Sequence, residues 1–511
     1  MILNSFNGGL NLRQALHLIQ PNEGVVYFNI DNSKGHFCPM AHKRDITSQY
    51  PALTNIQDYG FYFDLGNEGY TTTTPQDWVV YKEQLYHADR VNRPRRRVSG
   101  GNFVQLGITA PNPAGVTLTG NGAEDTETPI SYALTYYSTV TGAESAPALV
   151  GTINRHATDI TLGVLPASAD PQVDSLRIYR VGGAITTYTL VDTIADGTVS
   201  FVDNIPDDEV EGSLMESSGW LPAPVGAKYL IEYNAMLFAA DGDQLRFTPI
   251  GRPWAWPADF YLDIPGTITG IGKTPIGLLV FTRYKTILVT GTGPTTLAQQ
   301  NITNDQGCIS HDSIVNIKGQ AVWLSLQGIC KSAGGIPEVV SKDKIGVLEL
   351  SVTNALEFNE AYYIHFANTG MLGVFDFAFG EVYKRIDCGD TKSLVKVNDK
   401  LFALGQAKLW DMFSSTTKLT AKFKSGRLAE GGLMELKNQD RFRMAYTGSI
   451  LIKLYVDGVE KFSKAYSTSK AVEVVEGKLP YDSTKNNFIE IELEGTGEVF
   501  EISVPQASAN G

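Results

Sequence analysis

At 511 residues, with 43% hydrophobic and 19% charged side chains, the chain is too long for one domain and too apolar for a disordered one. About two to four compact units are expected. No apolar run approaches the roughly 18 to 20 residues that span a bilayer. The start, Met1-Ile2-Leu3-Asn4-Ser5-Phe6-Asn7, lacks the basic-then-apolar order of a signal peptide, so a soluble protein made in a cytoplasm is expected. The formal net charge of −13 is concentrated: residues 101–225 hold 15 acids and 3 bases, while the rest of the chain holds 40 acids and 39 bases. That segment reads as a separate unit, and one poorly suited to gripping DNA, because phosphate binding needs cations.

In chain order, Asn11 to Ile19 is a candidate helical turn before Pro21, and a loose strand pair begins near Val25. From there a unit of apolar strand, short polar turn and second apolar strand recurs at Trp78–Tyr86, Tyr229–Phe238, Leu278–Val289, Ser313–Leu324 and Ser393–Ala403. A looser copy begins near Ala361 with the turn Asn368-Thr369-Gly370. Apart from one gap of about 150 residues, the copies start roughly 33 to 53 residues apart, the period of β-propeller blades. The excess in the long gap carries its own strands, at Ile130–Tyr137, Leu176–Val181 and Tyr188–Asp192 with an exit at Phe201-Val202-Asp203. About 100 residues of short strands suit a β-sandwich inserted between two blades. Another helical turn is expected around Lys344–Asn359. Beyond Lys418 the pattern changes: Ile450–Gly458 runs into an Asp-Gly turn, and Phe488–Ser503 alternates as a hairpin.

The expected architecture is therefore all-β, a propeller of about six or seven irregular blades with an inserted sandwich and a C-terminal sandwich. Residues 1–110 would hold the N-terminal segment and first blades, 111–216 the acidic insertion, 217–415 the remaining blades and 416–511 the C-terminal sandwich.

Few motifs carry chemistry. Gly270-Ile271-Gly272-Lys273-Thr274 resembles the end of a phosphate-binding loop, but the glycine required five residues before Gly272 is replaced by Thr267, and Pro275 and Gly277 block the helix that would follow. His36-x-Cys38-x-Met40-x-His42 offers four ligand types at alternate positions of a strand, yet matches no recognised zinc spacing, so no metal is assigned. Trp254-Ala255-Trp256-Pro257 reads as core packing rather than a sugar platform. Cys38, Cys308, Cys330 and Cys388 are widely separated and read as buried free thiols. No G-x-S-x-G or H-E-x-x-H occurs, and neither a catalytic residue nor a cofactor is assigned. The densest charge cluster is Arg90, Arg93, Arg95, Arg96 and Arg97, just before the acidic insertion. It is read either as a solvated loop or as a subunit or partner contact exploiting the fork of arginine, with DNA contact third.

The order of several short motifs resembles the tail nozzle proteins of short-tailed bacteriophages, also called tail hub, tubular or DNA-stabilisation proteins. These are Phe6-Asn7-Gly8-Gly9-Leu10-Asn11, Pro21-Asn22-Glu23, Asn29-Ile30-Asp31, Leu245-Arg-Phe-Thr248 before Trp254-Ala-Trp256, and Gly277–Phe281. Gly307-Cys308 with Ser313-Ile-Val315, then Leu324-Ser325 with Gln327-Gly328-Ile329, continue the series. Within the insertion, Tyr136-Tyr137, Gly142–Pro147 and Leu176–Arg180 resemble a fibronectin type III module. The resemblance implies a structural virion protein of the tail without enzymatic activity. It would form a homo-oligomeric ring of about six copies that extends the DNA channel below a head-to-tail adaptor. Such a ring would retain the packaged genome and dock tail fibres or spikes, with double-stranded DNA passing transiently and no membrane insertion. The acidic insertion would then face the lumen or an outer docking surface. A receptor-binding tail protein recognising host glycan is the alternative, and a propeller enzyme degrading polysaccharide is a further one.

Overall fold

The computed structural model describes residues 2–3, 9–11, 23–31, 36–50, 56–57, 59–64, 68–98, 102–156, 158–210, 212–341, 350–377, 382–427, 437–438, 441–478, 485–486 and 489–503. The candidate helical turn of residues 11–19 lies outside them save for Asn11. Among the described residues the chain is all-β, with short 3-10 turns as its only helical structure.

The recurring unit is a four-stranded antiparallel meander. One comprises Asp77–Tyr81, Gln84–Ala88, Arg95–Arg97 and Phe103–Gln105. After the insertion come Lys228–Tyr233 to Tyr261–Asp263, Ile268–Thr274 to Ala298–Thr303, Val315–Ile317 to Glu338–Val339 and Val352–Phe358 to Val382–Asp387. The sixth takes Ser393–Val397, Lys400–Gly405 and Lys408–Asp411 from one end of the chain and its outer strand, Arg44–Asp45, from the other. In these propeller-like blades one strand of a pair is apolar on both faces: Met236–Ala240, Leu278–Phe281 and Ala321–Leu324 are all buried. The tight turns use left-handed residues, as at Lys82-Glu83, Asn234-Ala235 and Gln406-Ala407.

Three sequence expectations change with the fold. The segment Lys344–Asn359 is a strand where described: Val352–Phe358 opens a blade, pairing with Ala361–Phe366, because its alternating Val352, Asn354, Leu356 and Phe358 fit a period of two rather than 3.6. The strand near Val25 does not begin a blade. Glu23–Phe28 pairs antiparallel with Ala421–Ser425 and parallel with Val382–Asp387.

The chain divides into two compact units. One comprises residues 1–75, 269–288 and 301–511, the other residues 76–268 and 289–300. In the first, Glu23–Phe28 joins the strands of Val352–Asp387 to the C-terminal strands, giving one continuous twelve-stranded sheet. Its core includes Tyr27, Phe37, Tyr362, Phe375, Phe423, Phe442, Ile452 and Ile491. Each such side chain contributes about 1.5 to 3 kcal/mol when fully buried.

The C-terminal hairpin Arg441–Val456/Val459–Lys478 turns at Asp457-Gly458, both left-handed (φ 49° and 84°), as the Asp-Gly signal predicts. Residues 489–503 form no hairpin. Ile489–Gly495 lies along Ile450–Val456, and Glu498–Ser503 continues along Arg443–Thr447 of the same strand. The Gly495-Thr496-Gly497 step is a bulge, in which the amides of Thr496 and Gly497 both donate to the Ser449 carbonyl at 3.1 and 3.0 Å.

In the second unit the insertion is a β-sandwich. Thr117–Gly120, Ile160–Gly163 and Ser200–Asp203 form one sheet. Ala148–His156, Glu124–Tyr137, Ser175–Gly182 and Ile185–Ala195 form the other. Ile130, Tyr132, Leu134, Leu162, Leu176 and Ile178 fill the space between them.

Candidate functional site

The five arginines sit on the blade of Asp77–Gln105 and do different jobs. Arg90 is left-handed (φ 63°) and turns inward, its Nε and Nη2 donating to the Asp77 carboxylate at 2.7 to 3.2 Å. The Tyr229 amide donates to the same carboxylate at 2.6 Å, and the Arg90 guanidinium lies 5.3 Å from the Tyr229 ring centre. This knot ties the blade to the one that begins at Lys228. The Asp77 side chain is 1% exposed, and the partly buried, bidentate Arg90 guanidinium compensates its charge.

The remaining four arginines divide by the alternation of a strand. Arg96 lies opposite Tyr86, and its Nη1 reaches the Thr141 carbonyl of the sandwich at 3.3 Å. Burial of the Tyr86 hydroxyl pushes its pKa up to about 12, with the Arg96 guanidinium pulling the other way. Arg95 points to the opposite face, beside His87 and Gln105, and is exposed. Arg93 donates to the Gln105 side chain at 3.3 Å, and Arg97 pairs with Phe103. Arg90 and Arg96 are thus committed within the unit, and Arg95 is the member of the cluster offered outward.

Arg95 borders a cavity of about 650 Å³ between the outer strand Phe103–Gln105 and the sandwich, walled also by Asn112, Tyr136, Ser168 and Asp170. Gln172 ties the sandwich to the end of the blade, its amide donating to the carbonyls of Gln105 and Gly107 at 3.1 and 3.3 Å. Trp254 packs against both the sandwich core and the blade core, while Trp256 is fully buried and donates to the Pro253 carbonyl at 3.2 Å. The two indoles pack, as their sequence context predicts.

Inside the sandwich the carboxylates are organised around its three bases. Arg177 binds Glu144 at 2.8 Å, Arg155 binds Asp207 at 2.8 Å, and Arg180 binds Asp203 at 2.6 Å and Asp207 at 3.1 Å. These are all the bases of residues 101–225. Every cation of the acidic segment is therefore used internally, so its other carboxylates have no cation of that segment to offset them.

The phosphate-loop look-alike is Ile268–Thr274, a strand buried at Ile268, Ile271 and Thr274. All four cysteines are free and buried. Burial pushes the thiols up, to about 11 for Cys330 and about 12 for Cys308 and Cys388. The carboxyls of Asp45, Asp89, Asp174, Glu357, Glu492 and Glu498 are all displaced downward, with hydrogen bonds or ion pairs outweighing any burial. The alternating set at residues 36–42 splits. Met40 enters the hydrophobic core and His42 bonds the Lys43 carbonyl, whereas His36 and Cys38 meet Glu498 from the far end of the chain. No local sequence signal connects Glu498 to them.

No protein-family model and no curated protein matches the chain. Solved structures similar to parts of it include a glutaminyl cyclase from Myxococcus xanthus, 12% identical over 36% of this chain and 88% of that one, with a TM-score of 0.23. An exo-β-1,3-galactanase from Phanerochaete chrysosporium is 8% identical over 88% and 99%, with a TM-score of 0.19. A glycoside hydrolase family 43 arabinoxylan arabinofuranohydrolase from Bacillus subtilis is 10% identical over 85% and 96%, with a TM-score of 0.19. Likenesses of this size carry no inference about activity.

Proposed function

We propose that the chain is a structural protein of a short-tailed phage tail, one copy of a nozzle or hub ring that extends the DNA channel and carries fibres. The observation that carries this reading is the acidic sandwich with all of its cations consumed internally. A surface of that kind repels a phosphate backbone, which a conduit for double-stranded DNA requires, since each cationic contact would hold the passing duplex. The order of the motifs shared with tail nozzle proteins supports it, and the outward Arg95 beside the cavity offers a contact for a neighbouring copy or a fibre.

Electron microscopy and native mass spectrometry of the purified full-length protein, alone and with tail particles, test the proposal. The expected result is a closed ring of about six copies seated at the distal end of the tail. A stable monomer or trimer that never joins the tail overturns it.

A further inference from the structure

His36, Cys38 and Glu498 place an imidazole, a thiol and a carboxylate with their ligand atoms all within 4.8 Å of one another. The arrangement is set by backbone, not by chance approach of long side chains. Phe37 and Val499 exchange a pair of hydrogen bonds (3.1 and 2.9 Å), forming an antiparallel bridge. Residues on either side of a bridge point to the same face, so His36 and Cys38 share a face with Glu498 and Phe500. The Phe37 side chain is fully buried and anchors the loop, and the His36 ring rests on Phe500 with centroids 4.7 Å apart. His36 Nε2 lies 3.0 Å from Glu498 Oε2.

A fourth group completes the cluster. Ala41 bridges Lys418, which brings the Lys418 ammonium onto the Glu498 carboxylate and to 3.9 Å from Cys38 Sγ. Lys418 is there the counter-ion of the Glu498 carboxylate. The side chain is 34% exposed, so it can swing to solvent.

We propose that His36, Cys38 and Glu498 form a three-ligand site for a divalent transition metal of the zinc type, with Lys418 as the cation that occupies it in the metal's absence. Tetrahedral zinc with bonds of about 2.0 to 2.3 Å sets nitrogen and oxygen about 3.3 Å from each other and about 3.5 Å from sulfur, so from separations within 4.8 Å a contraction of at most about 1.3 Å suffices. Soft sulfur with imidazole and a carboxylate suits zinc or cobalt rather than magnesium or calcium. The exchange balances: the metal enters, the Cys38 thiol loses one proton to solvent, and Lys418 leaves as an ammonium. Charge is then neutral before and after, with the ion pair replaced by a dication bound to a thiolate and a carboxylate. The bound metal fastens the loop near residue 36 to the last strand of the sheet.

The test is titration of the full-length protein with Co²⁺, reading the near-ultraviolet thiolate-to-cobalt charge-transfer band, with folding of each variant checked by far-ultraviolet circular dichroism. Wild type is expected to saturate at one metal per chain and to release one proton as it does. Lys418→Gln, which removes the competing cation, is expected to bind about tenfold or more tighter. His36→Ala is expected to weaken binding by a similar factor, and Cys38→Ser to abolish the band. Absence of the band in both wild type and Lys418→Gln overturns the proposal. So does a band that survives in Cys38→Ser, because the metal then sits on another thiol.

Discussion

Replacing Arg180 with methionine isolates the energetics of the acidic sandwich. Arg180 is 4% exposed at its side chain and Asp203 is 0% exposed. Its guanidinium donates to Asp203 Oδ2 at 2.6 Å, the Ile205 carbonyl at 3.0 Å and Asp207 Oδ1 at 3.1 Å. Tyr132 donates its hydroxyl to the same Asp203 oxygen at 2.6 Å. Methionine fills most of the volume, so the cost is electrostatic: a buried carboxylate keeps the Tyr132 hydroxyl and the Ile205 amide as donors and loses its cation. Breaking a buried pair from one side costs about 3 to 5 kcal/mol. Asp207 suffers less, since Arg155 at 2.8 Å and the Ala184 amide at 2.9 Å still hold it. Adding Asp203→Asn removes the stranded charge while still accepting from Tyr132, and is expected to restore at least about half of the loss. Hydrogen exchange of strands Glu124–Tyr137 and Ser175–Gly182 reads the opening free energy of the module within the full-length protein. A loss below about 1 kcal/mol for Arg180→Met, or a double variant less stable than that single one, would refute the argument.

Val164 is a β-branched residue held at φ 54° with 65% of its surface exposed, so Val164→Gly should raise the stability of the sandwich by about 1 kcal/mol in the same exchange experiment; a loss of stability there would mean that its side chain packs. The buried thiols at about 11 to 12 should react with an aromatic disulfide at pH 8 only as the protein unfolds, so fast labelling of Cys308 or Cys388 in native protein would contradict their burial. The Glu498 carboxyl, whose burial is outweighed by its bonds to Lys418 and His36, titrates below its ordinary value of 4.5. Its stabilising contribution is therefore complete above the unfolded-state value and lost as the pH falls through the lower folded one. Lys418→Met should flatten the acid limb of a urea-midpoint profile as the pH falls below the ordinary glutamate value, and an unchanged limb would place that contribution elsewhere. Gly448 is left-handed (φ 67°), and a β-carbon there would stand 2.8 Å from the Gly497 backbone, so Gly448→Ala should lower the urea midpoint by the equivalent of about 1 to 3 kcal/mol.

Blade strands were legible because hairpin contacts are local. Trp78–Tyr86 and Tyr229–Phe238 each carry an apolar alternation interrupted by a short polar turn, and the turn brings the two runs together as neighbours. The same logic misled at residues 488–503, where two alternating runs around Gly495-Thr496-Gly497 resemble a hairpin. Both runs instead find one long partner, Arg441–Val456, and the glycines serve a bulge. Alternation records which face of a strand is buried, not which strand lies beside it. The strand at Val25 failed for the same reason, since its partners are about 360 and 400 residues away.

The arginine cluster shows the division most plainly. Composition placed five cations together and left solvation, interface and DNA as readings. Only the folded backbone separated them, by turning Arg90 inward at a left-handed residue onto Asp77 and sending Arg95 and Arg96 to opposite faces of one strand. The sequence by itself determined the all-β class, the blade period, the acidic insertion and the free, buried state of the cysteines, because these follow from local patterning, composition and charge counts. Tertiary structure decided which charges are consumed and which donors meet, as with His36, Cys38 and Glu498, because a contact between residues 460 apart is written in the sheet's register and nowhere in the neighbouring sequence.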